Sequence, residues 1–306
     1  MPARYNRFNE DLRRRFGVRV QKITLDAGLN CPNRDGTLGR EGCIFCDPLG
    51  GSGRARERSS VPISRQIEEG KAALRRRYRA EKFIAYFQSF SNTYGPVDRL
   101  ARLYTEAAAD PDIVALAVAT RPDCLPEPVL DLLGESAARL ETWVELGVQS
   151  LHEPSLRWMG RGHGVDIIAP AVSSLKARGI RVAAHLILGL PGETLVEMMA
   201  TARGVSRMGV DAVKLHMLYV TRDSRLAEEF RAGRLTLWSR EEYVEAAVSV
   251  LEHLAPGIVI QRLVSDASPA RLIAPAWLRD KSAVIRAIKA ELERRDTRQG
   301  RLWKPA

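Results

Sequence analysis

Short runs of apolar and β-branched residues alternate along this 306-residue chain with longer segments of helical period. The runs predict strands at Val20–Leu25, Phe83–Phe87, Ile113–Ala119, Trp143–Val148, Val182–Leu188, Ala212–Met217 and Gly257–Leu263. The longer segments predict helices at Ser64–Arg79, Val97–Ala109, Pro128–Glu135, Ile167–Arg178, Leu195–Met208, Ser239–Leu254 and Ser282–Arg295. This alternation is typical of βα units, so we predict an α/β fold with a parallel sheet.

Polar or glycine-rich residues follow the carboxyl end of each predicted strand. Those after the second to the seventh strand are Gln88–Thr93, Thr120–Asp123, Gly147–Ser150, Gly189–Glu193, His216–Tyr219 and Gln261–Arg262. In a parallel barrel the carboxyl ends of the strands share one face, and that face holds the chemistry. We therefore predict an active site where these clusters meet.

Three of the four cysteines follow the first predicted strand on one glycine-rich loop. Cys31, Cys43 and Cys46 form the pattern C-x11-C-x2-C. A structural zinc site normally takes four ligands, whereas Cys124 and the five histidines are distant in the sequence. An iron–sulfur cluster held by three thiolates accounts for the missing fourth ligand and leaves one iron open. A zinc site completed by one of the distant residues is the alternative.

The chain is basic, with a formal net charge of +10. Its arginines are concentrated at Arg13–Arg15, at Arg54, Arg56 and Arg58, and at Arg75–Arg77 with Arg79. Such a surface suits a polyanion such as RNA, although basic solvated helix faces are the alternative interpretation. No apolar signal core begins the chain and no apolar run approaches ~20 residues, so we expect a cytoplasmic protein without a membrane partner. Cysteines in that compartment favour metal binding or catalysis over disulfides.

The cysteine loop, with Phe45 before its last cysteine, resembles the cluster motif of radical S-adenosylmethionine (SAM) enzymes. Its long first spacer is similar to that of the branch around the elongator catalytic subunit. The chain more closely resembles the YhcC/YtqA group of elongator-like radical enzymes. The segments that carry this resemblance are Asn30–Cys46, Tyr86–Tyr94, Thr120–Asp123, Glu145–Ser150, Arg161–His163, His185–Glu193 and Gln261–Asp266.

The resemblance implies a 4Fe-4S cluster held by Cys31, Cys43 and Cys46, whose open iron binds SAM. Reductive cleavage of SAM then gives a 5′-deoxyadenosyl radical that abstracts a substrate hydrogen. The implied fold is a partial TIM-like radical SAM barrel of (β/α)6 type with a seventh strand. It spans residues 1–265 with the cluster loop at 31–46, and residues 266–306 form a C-terminal helical extension packed on the barrel.

The resemblance also assigns residues to SAM. Gln88 and Ser89 lie where the family binds the methionine amino group, with a loop cap for the second strand as the alternative. Arg161 would meet the methionine carboxylate, because its planar fork suits carboxylates. Leu188 and the loop from Gly189 to Glu193 would border the adenine and ribose; a tight turn with a capping acid is the alternative.

Glu145 and Gln149 lie an even number of residues apart on the fourth strand, so both are expected to point into the barrel. A buried carboxylate needs a partner, and for Glu145 we predict a ribose hydroxyl of SAM or Arg121. An internal Glu–Arg ion pair without a ligand role is the alternative. We assign all three residues to the cofactor.

Tyr219, His216, Arg262 and Cys124 are the catalytic candidates. Tyr219 would relay a proton or a radical, and Arg262 would hold a substrate anion. A polar position in the barrel interior is the alternative for His216. Cys124 is either an inert buried thiol or a hydrogen-atom donor.

The resemblance implies an enzyme that edits the carbon-5 side chain of a tRNA wobble uridine, from carboxymethylaminomethyl towards aminomethyl. The chain ends at Ala306, and we expect no acetyltransferase domain. The expected partners are tRNA, a low-potential electron donor such as flavodoxin or ferredoxin, and a downstream methyltransferase. A porphyrinogen-type oxidative decarboxylase and a non-catalytic zinc protein that binds RNA are the alternatives.

Overall fold

The computed structural model describes residues 3–47 and 59–305 of the chain. Within these residues, seven parallel strands form one curled sheet, a half-barrel in which neighbouring strands follow each other in chain order. They are β1 (Val20–Leu25), β2 (Lys82–Phe87), β3 (Ile113–Thr120), β4 (Glu141–Gln149), β5 (Arg181–Leu188), β6 (Ala212–Met217) and β8 (Val259–Arg262). Two further short strands, β7 (Val220–Thr221) and β9 (Leu272–Ala274), pair antiparallel outside this sheet. The predicted α/β fold with seven parallel strands is confirmed.

Helices connect the strands and cover the outer face of the sheet. They are α1 (Phe8–Phe16), α2 (Ile63–Tyr78), α3 (Val97–Ala108), α4 (Glu127–Ala137), α5 (Glu153–Trp158), α6 (Ile168–Ala177), α7 (Leu195–Arg207), α8 (Leu226–Arg231), α9 (Arg240–His253) and α10 (Lys281–Arg294). Capping boxes fix where two of them begin: Thr194 with Glu197 starts α7, and Ser239 with Glu242 starts α9. None of the described helices is both long and apolar enough to cross a membrane.

Helix α1, which the sequence patterns did not predict, closes the amino end of the half-barrel. Leu12 is only 1% exposed and packs in a second core inside the sheet, with Val20 and Trp143. Phe8 and Phe16 pack against the same core. The apolar residues of α1 therefore recur every four positions, a helical period that its run of arginines obscures.

The C-terminal segment is fastened both to the sheet and to the N-terminus. Strand β9 pairs with β7, and α10 packs on α9. Gln299 accepts a hydrogen bond from the backbone N–H of Asn6 (3.0 Å) and donates to the carbonyls of Ala255 and Ile258 (2.8 Å each). The segment predicted as a helical extension thus also contains a strand.

Arginines from two of the predicted clusters pair with carboxylates at the amino ends of the strands. Arg15 pairs with Glu141, the first residue of β4. Arg75 pairs with Asp112, directly before β3, at 2.7 Å. Helices run antiparallel to the strands that they precede, so the end of a helix meets the start of the next strand. Arg54, Arg56 and Arg58 lie outside the described residues.

We expect Leu12→Ala to lower the free energy of unfolding by about 2–5 kcal/mol, because it leaves a cavity where α1 closes the half-barrel. The matched control is Leu302→Ala, since Leu302 is 48% exposed. Urea denaturation followed by circular dichroism measures both. Equal, small effects of the two substitutions would contradict the role given to α1.

Candidate active site

A cavity of about 760 Å³ lies between the cysteine loop and the inner face of the sheet. Its walls include residues from the cysteine loop and from the carboxyl halves of the strands. The predicted site residues that line it are Cys31, Cys43, Cys46, Gln88, Arg121, Glu145, Gln149, Arg161, His216, Tyr219 and Arg262. The curl of the sheet therefore brings together side chains that are far apart in the sequence.

The cysteine loop is shaped by contacts that a larger residue at position 42 would break. Gly42 has a φ of +75°, and a Cβ there would lie 2.9 Å from Arg34 Nε. The Arg34 guanidinium donates to the carbonyls of Cys46 (3.1 Å) and Asp47 (2.8 Å). Asn33 Nδ2 donates to the carbonyl of Gly160 at 2.6 Å, which ties the loop to the segment after α5.

The surroundings of Cys43 favour its thiolate form. Burial alone would raise the pKa of its thiol, but Arg161 and Arg121 outweigh burial and lower that pKa below its ordinary value. Arg161 Nη1 lies 3.4 Å and Asn33 Nδ2 3.5 Å from the Cys43 sulfur, so both donate to it. Burial instead raises the pKa of Cys46 to about 11.

The three thiols line one cavity, as the ligands of a multi-iron cluster would. Across residues 3–47 and 59–305, no three His, Cys, Asp or Glu side chains are grouped as ligands of one metal ion. Each thiolate of an iron–sulfur cluster binds its own iron, so the sulfurs need not converge on one point. These residues can therefore hold the predicted cluster.

Two arginines beside the thiols have N–H groups left for a ligand. Arg121 pairs with Asp123 through Nε (2.8 Å) and Nη2 (2.6 Å), and Arg161 Nη2 donates to the carbonyl of Gly147 at 2.7 Å. Arg121 Nη1 and Arg161 Nε are buried, and neither has a partner among the described atoms. Both side chains line the cavity. Acceptor oxygens such as the carboxylate of SAM would satisfy these donors.

The inner end of the cavity, which we call the floor, is built around Glu145. Its Oε2 lies 2.6 Å from Lys214 Nζ and 2.7 Å from His185 Nε2, and its Oε1 accepts from Lys22 Nζ. Burial would raise the pKa of Glu145, but Lys214 and Lys22 hold it well below its usual range. Burial lowers the pKa of His185 to about 4, so its imidazole is neutral near pH 7.

The floor corrects one prediction and adds residues that the sequence patterns did not single out. Arg121 is not the partner of Glu145, because it pairs with Asp123 instead. Lys22 on β1 and Lys214 on β6 were missed. Each is a lone lysine in an apolar strand. Lys214 lies two residues before His216, so the two-residue period of β6 would have indicated that Lys214 points into the barrel together with His216.

Five other predicted residues are not among the described residues that line the cavity. They are Ser89, Cys124, Leu188, Gly189 and Glu193. The structure corrects the position of Leu188: Ile187 lines the cavity, and Leu188 therefore faces the helix-side core. Glu193 accepts from the hydroxyls of Ser150 (2.9 Å) and Ser155 (2.8 Å), which anchors the turn after β5.

Ser89 and Cys124 are buried beside the cavity wall. Ser89 is 2% exposed, and its hydroxyl has no partner among the described atoms. Cys124 is 4% exposed, and burial raises the pKa of its thiol to about 12, so it remains protonated near pH 7. A neutral thiol at that position retains the hydrogen that a hydrogen-atom donor needs, but it lies behind the cavity wall.

Residues 31–204 match the Radical SAM superfamily, and residues 210–294 match the Radical_SAM C-terminal domain. The chain belongs to the radical SAM superfamily. This superfamily uses a 4Fe-4S cluster and SAM, so the geometry of the thiols and the family agree on the cofactors.

Similar proteins extend this comparison. YtqA of Bacillus subtilis (strain 168) is 37% identical over 98% of this chain and 93% of its own length. The tRNA uridine(34) acetyltransferase of Methanocaldococcus infernus is 30% identical, over 52% of this chain and 30% of its own length. The solved structure of M. infernus Elp3 shares the fold with a TM-score of 0.70 at 17% identity. It covers 92% of this chain, which spans 64% of that chain.

We expect Cys43→Ala to abolish the visible thiolate-to-iron charge-transfer absorbance of the anaerobically reconstituted radical SAM protein. Cys124→Ala is the matched control, and it should retain the absorbance and the iron content. Absorbance and iron analysis give the answer. A Cys43→Ala protein with full iron content would contradict the ligand assignment.

We expect Glu145→Gln to lower the thermal midpoint of the cluster-loaded protein by roughly 5–10 °C, because it leaves the buried Lys214 and the partly buried Lys22 without their shared carboxylate. Glu228→Gln, on the exposed face of α8, is the control and should change the midpoint little. Differential scanning calorimetry measures both. A shift as small as that of the control would show that Glu145 does not hold the floor together.

Proposed function

We propose that this radical SAM enzyme acts on tRNA and edits the carbon-5 side chain of a wobble uridine, from carboxymethylaminomethyl to aminomethyl. The observation that carries the proposal is the similarity of 52% of the chain to the tRNA uridine(34) acetyltransferase of M. infernus. A second observation supports a polyanionic substrate: cationic side chains outnumber carboxylates among the residues that line the cavity.

The cysteine-loop end of the cavity holds the cluster and SAM under this proposal. When bound, the cluster and SAM supply the electron and the 5′-deoxyadenosyl radical that begins the reaction. Cys31, Cys43 and Cys46 hold the cluster, and the Arg161 and Asn33 donors stabilise the negative charge on the Cys43 sulfur. Hydrogen bonds to the sulfurs are one of the factors that set a cluster's reduction potential.

The other end of the cavity positions the substrate. The abstracted hydrogen would come from the carbon between the amine and the carboxylate of the side chain, where the nitrogen lone pair weakens the C–H bond. Loss of one further electron and hydrolysis by water would then break the C–N bond and release the two-carbon fragment as glyoxylate, so that SAM is the two-electron oxidant overall. Burial raises the pKa of Tyr219 to about 12, so its phenol stays protonated and can donate to the substrate. His216 is stacked on His185 with ring centroids 5.3 Å apart, which fixes the orientation of its imidazole. The electron donor in this proposal is a flavodoxin or ferredoxin, and a methyltransferase acts on the product.

The direct test incubates the cluster-loaded protein anaerobically with SAM, a chemical reductant and tRNA that carries carboxymethylaminomethyluridine. Mass spectrometry of the digested nucleosides should show that this nucleoside decreases and aminomethyluridine increases. The Cys43→Ala protein is the control and should leave the tRNA unchanged. SAM cleavage without a change in any nucleoside would contradict the proposal, and turnover of a porphyrinogen in its place would establish the alternative enzyme.

The location of the cavity also predicts which arginines bind tRNA. Arg225 lies on the face of the cysteine loop, where it pairs with Glu41 at 2.9 Å, whereas Arg75 lies at the opposite end of the strands. We expect Arg225→Glu to weaken tRNA binding about 3- to 10-fold and to reduce its salt dependence, while Arg75→Glu changes little. Filter binding at several salt concentrations measures both. A larger effect at Arg75 would place the tRNA on the other end of the barrel.

A further inference from the structure

The floor of the cavity contains more positive than negative charge. Lys22, Lys214 and Arg262 come from β1, β6 and β8, and Lys214 is paired in register with Arg262 on the neighbouring strand. Glu145 is the carboxylate that both lysines share. One carboxylate, whose own side chain has no exposure, therefore serves two lysines in the barrel interior. Burial, together with the like charges of Lys22 and Arg262, lowers the pKa of Lys214 well below its usual range, so an added anion would favour the charged form of Lys214.

Arg262 does not find full compensation nearby either. Its closest carboxylate among the described residues is Asp266, at 3.9 Å, and that side chain is 60% exposed. Asp266 also pairs with Lys281 at 3.0 Å, so its charge is shared as well. Surplus positive charge in a buried site is costly unless an anion joins it. The charges of the floor therefore favour binding of an anion.

The floor also has buried polar atoms without hydrogen-bond partners. Gln261 Oε1 accepts from Lys22 Nζ at 2.7 Å, which leaves Gln261 Nε2 as a donor. Gln261 Nε2 and His216 Nε2 are both buried, and neither has a partner among the described atoms. His216, Lys214 and Arg262 line the cavity that the three cysteines also line. A ligand that fits these groups offers acceptor oxygens and a negative charge.

We propose that the floor binds a carboxylate of the substrate, with Lys214 and Arg262 as its ligands and His216 beside them. The planar fork of Arg262 suits a carboxylate, and a single negative charge matches the surplus left by the shared Glu145. Glu145 and Lys22 are positioning residues, because they hold the Lys214 ammonium in place. Only the identity of the ligand rests on the proposed function: there the carboxylate belongs to the carboxymethylaminomethyl side chain of a uridine.

Under this proposal the floor discriminates between the carboxylated substrate and the amine product. A uridine side chain that ends in a carboxylate is retained at the floor, whereas the product, which ends in an amine, meets two like charges and leaves. The charge change that the reaction makes thus separates substrate from product in the same cavity. A phosphate is also an anion, so the binding experiment includes inorganic phosphate to distinguish it from the carboxylate of the substrate.

Calorimetric titration of the cluster-loaded, SAM-saturated and unreduced protein tests the site without turnover. The ligands are the nucleosides 5-carboxymethylaminomethyluridine and 5-aminomethyluridine, and the variants are Lys214→Met and Arg262→Gln. Lys176→Met, on the outer surface of α6, is the matched control. We expect each floor variant to bind the carboxylated nucleoside about 10- to 100-fold more weakly and to bind the amine at least as well as the unaltered protein.

Equal losses for both nucleosides would overturn the proposal, because they would show a general structural defect. Inorganic phosphate that displaces the carboxylated nucleoside at equal concentration would overturn it as well, since the floor would then bind any small anion. Lys214→Met leaves the Lys22–Glu145 pair intact, so its thermal midpoint should be no lower than that of the unaltered protein. This measurement separates loss of the site from loss of the fold.

A second arm keeps the test valid if tRNA is not the substrate. Sodium acetate, compared with sodium chloride at equal ionic strength, should raise the thermal midpoint of the unaltered protein and not that of Lys214→Met. If the tRNA nucleosides stay unchanged on turnover but acetate still protects through Lys214, the proposed function fails and the carboxylate site stands. If tRNA is edited and Lys214→Met binds both nucleosides as before, the site fails and the function stands.

Discussion

The carboxylate of Glu145 joins four strands across the interior of the half-barrel. It accepts from Lys22 on β1, His185 on β5 and Lys214 on β6, while it belongs to β4 itself. A buried carboxylate is tolerated only with such partners, so these strands are held in fixed relation to one another. Lys22 also reaches Gln261 on β8, which links the two edge strands of the sheet. The cavity, its polar floor and the curl of the sheet all depend on this set of contacts.

The cavity that results has two chemically different ends. At the loop end, arginine and asparagine N–H groups surround the buried Cys43 sulfur, and two arginine N–H groups remain as donors for an anionic cofactor. At the floor, ammonium and guanidinium groups outnumber carboxylates. A substrate between these ends is held at the floor by its anionic group, and its reactive carbon then faces the radical that forms at the cysteine loop. Positioning of this kind is the protein's main contribution when a cofactor carries out the difficult step.

Local patterns were sufficient to predict most of the fold. The strands are apolar and β-branched, and the three cysteines lie close together in the sequence, so both could be read from neighbouring residues. Helix α1 was missed because Arg13, Arg14 and Arg15 obscure its apolar period. The partners of Glu145 could not be predicted, since Lys22 is 123 residues away and meets it only because the sheet curls. Leu188 was predicted to border SAM, whereas it is the neighbouring Ile187 that lines the cavity.

The central claim is that a radical formed at the cysteine loop acts on a side chain held by the floor. Its most direct test uses tRNA whose carboxymethylaminomethyluridine carries deuterium on the carbon between the amine and the carboxylate. The account predicts that turnover transfers deuterium into 5′-deoxyadenosine, as mass spectrometry would detect. Aminomethyluridine formed together with deuterium-free 5′-deoxyadenosine would contradict it.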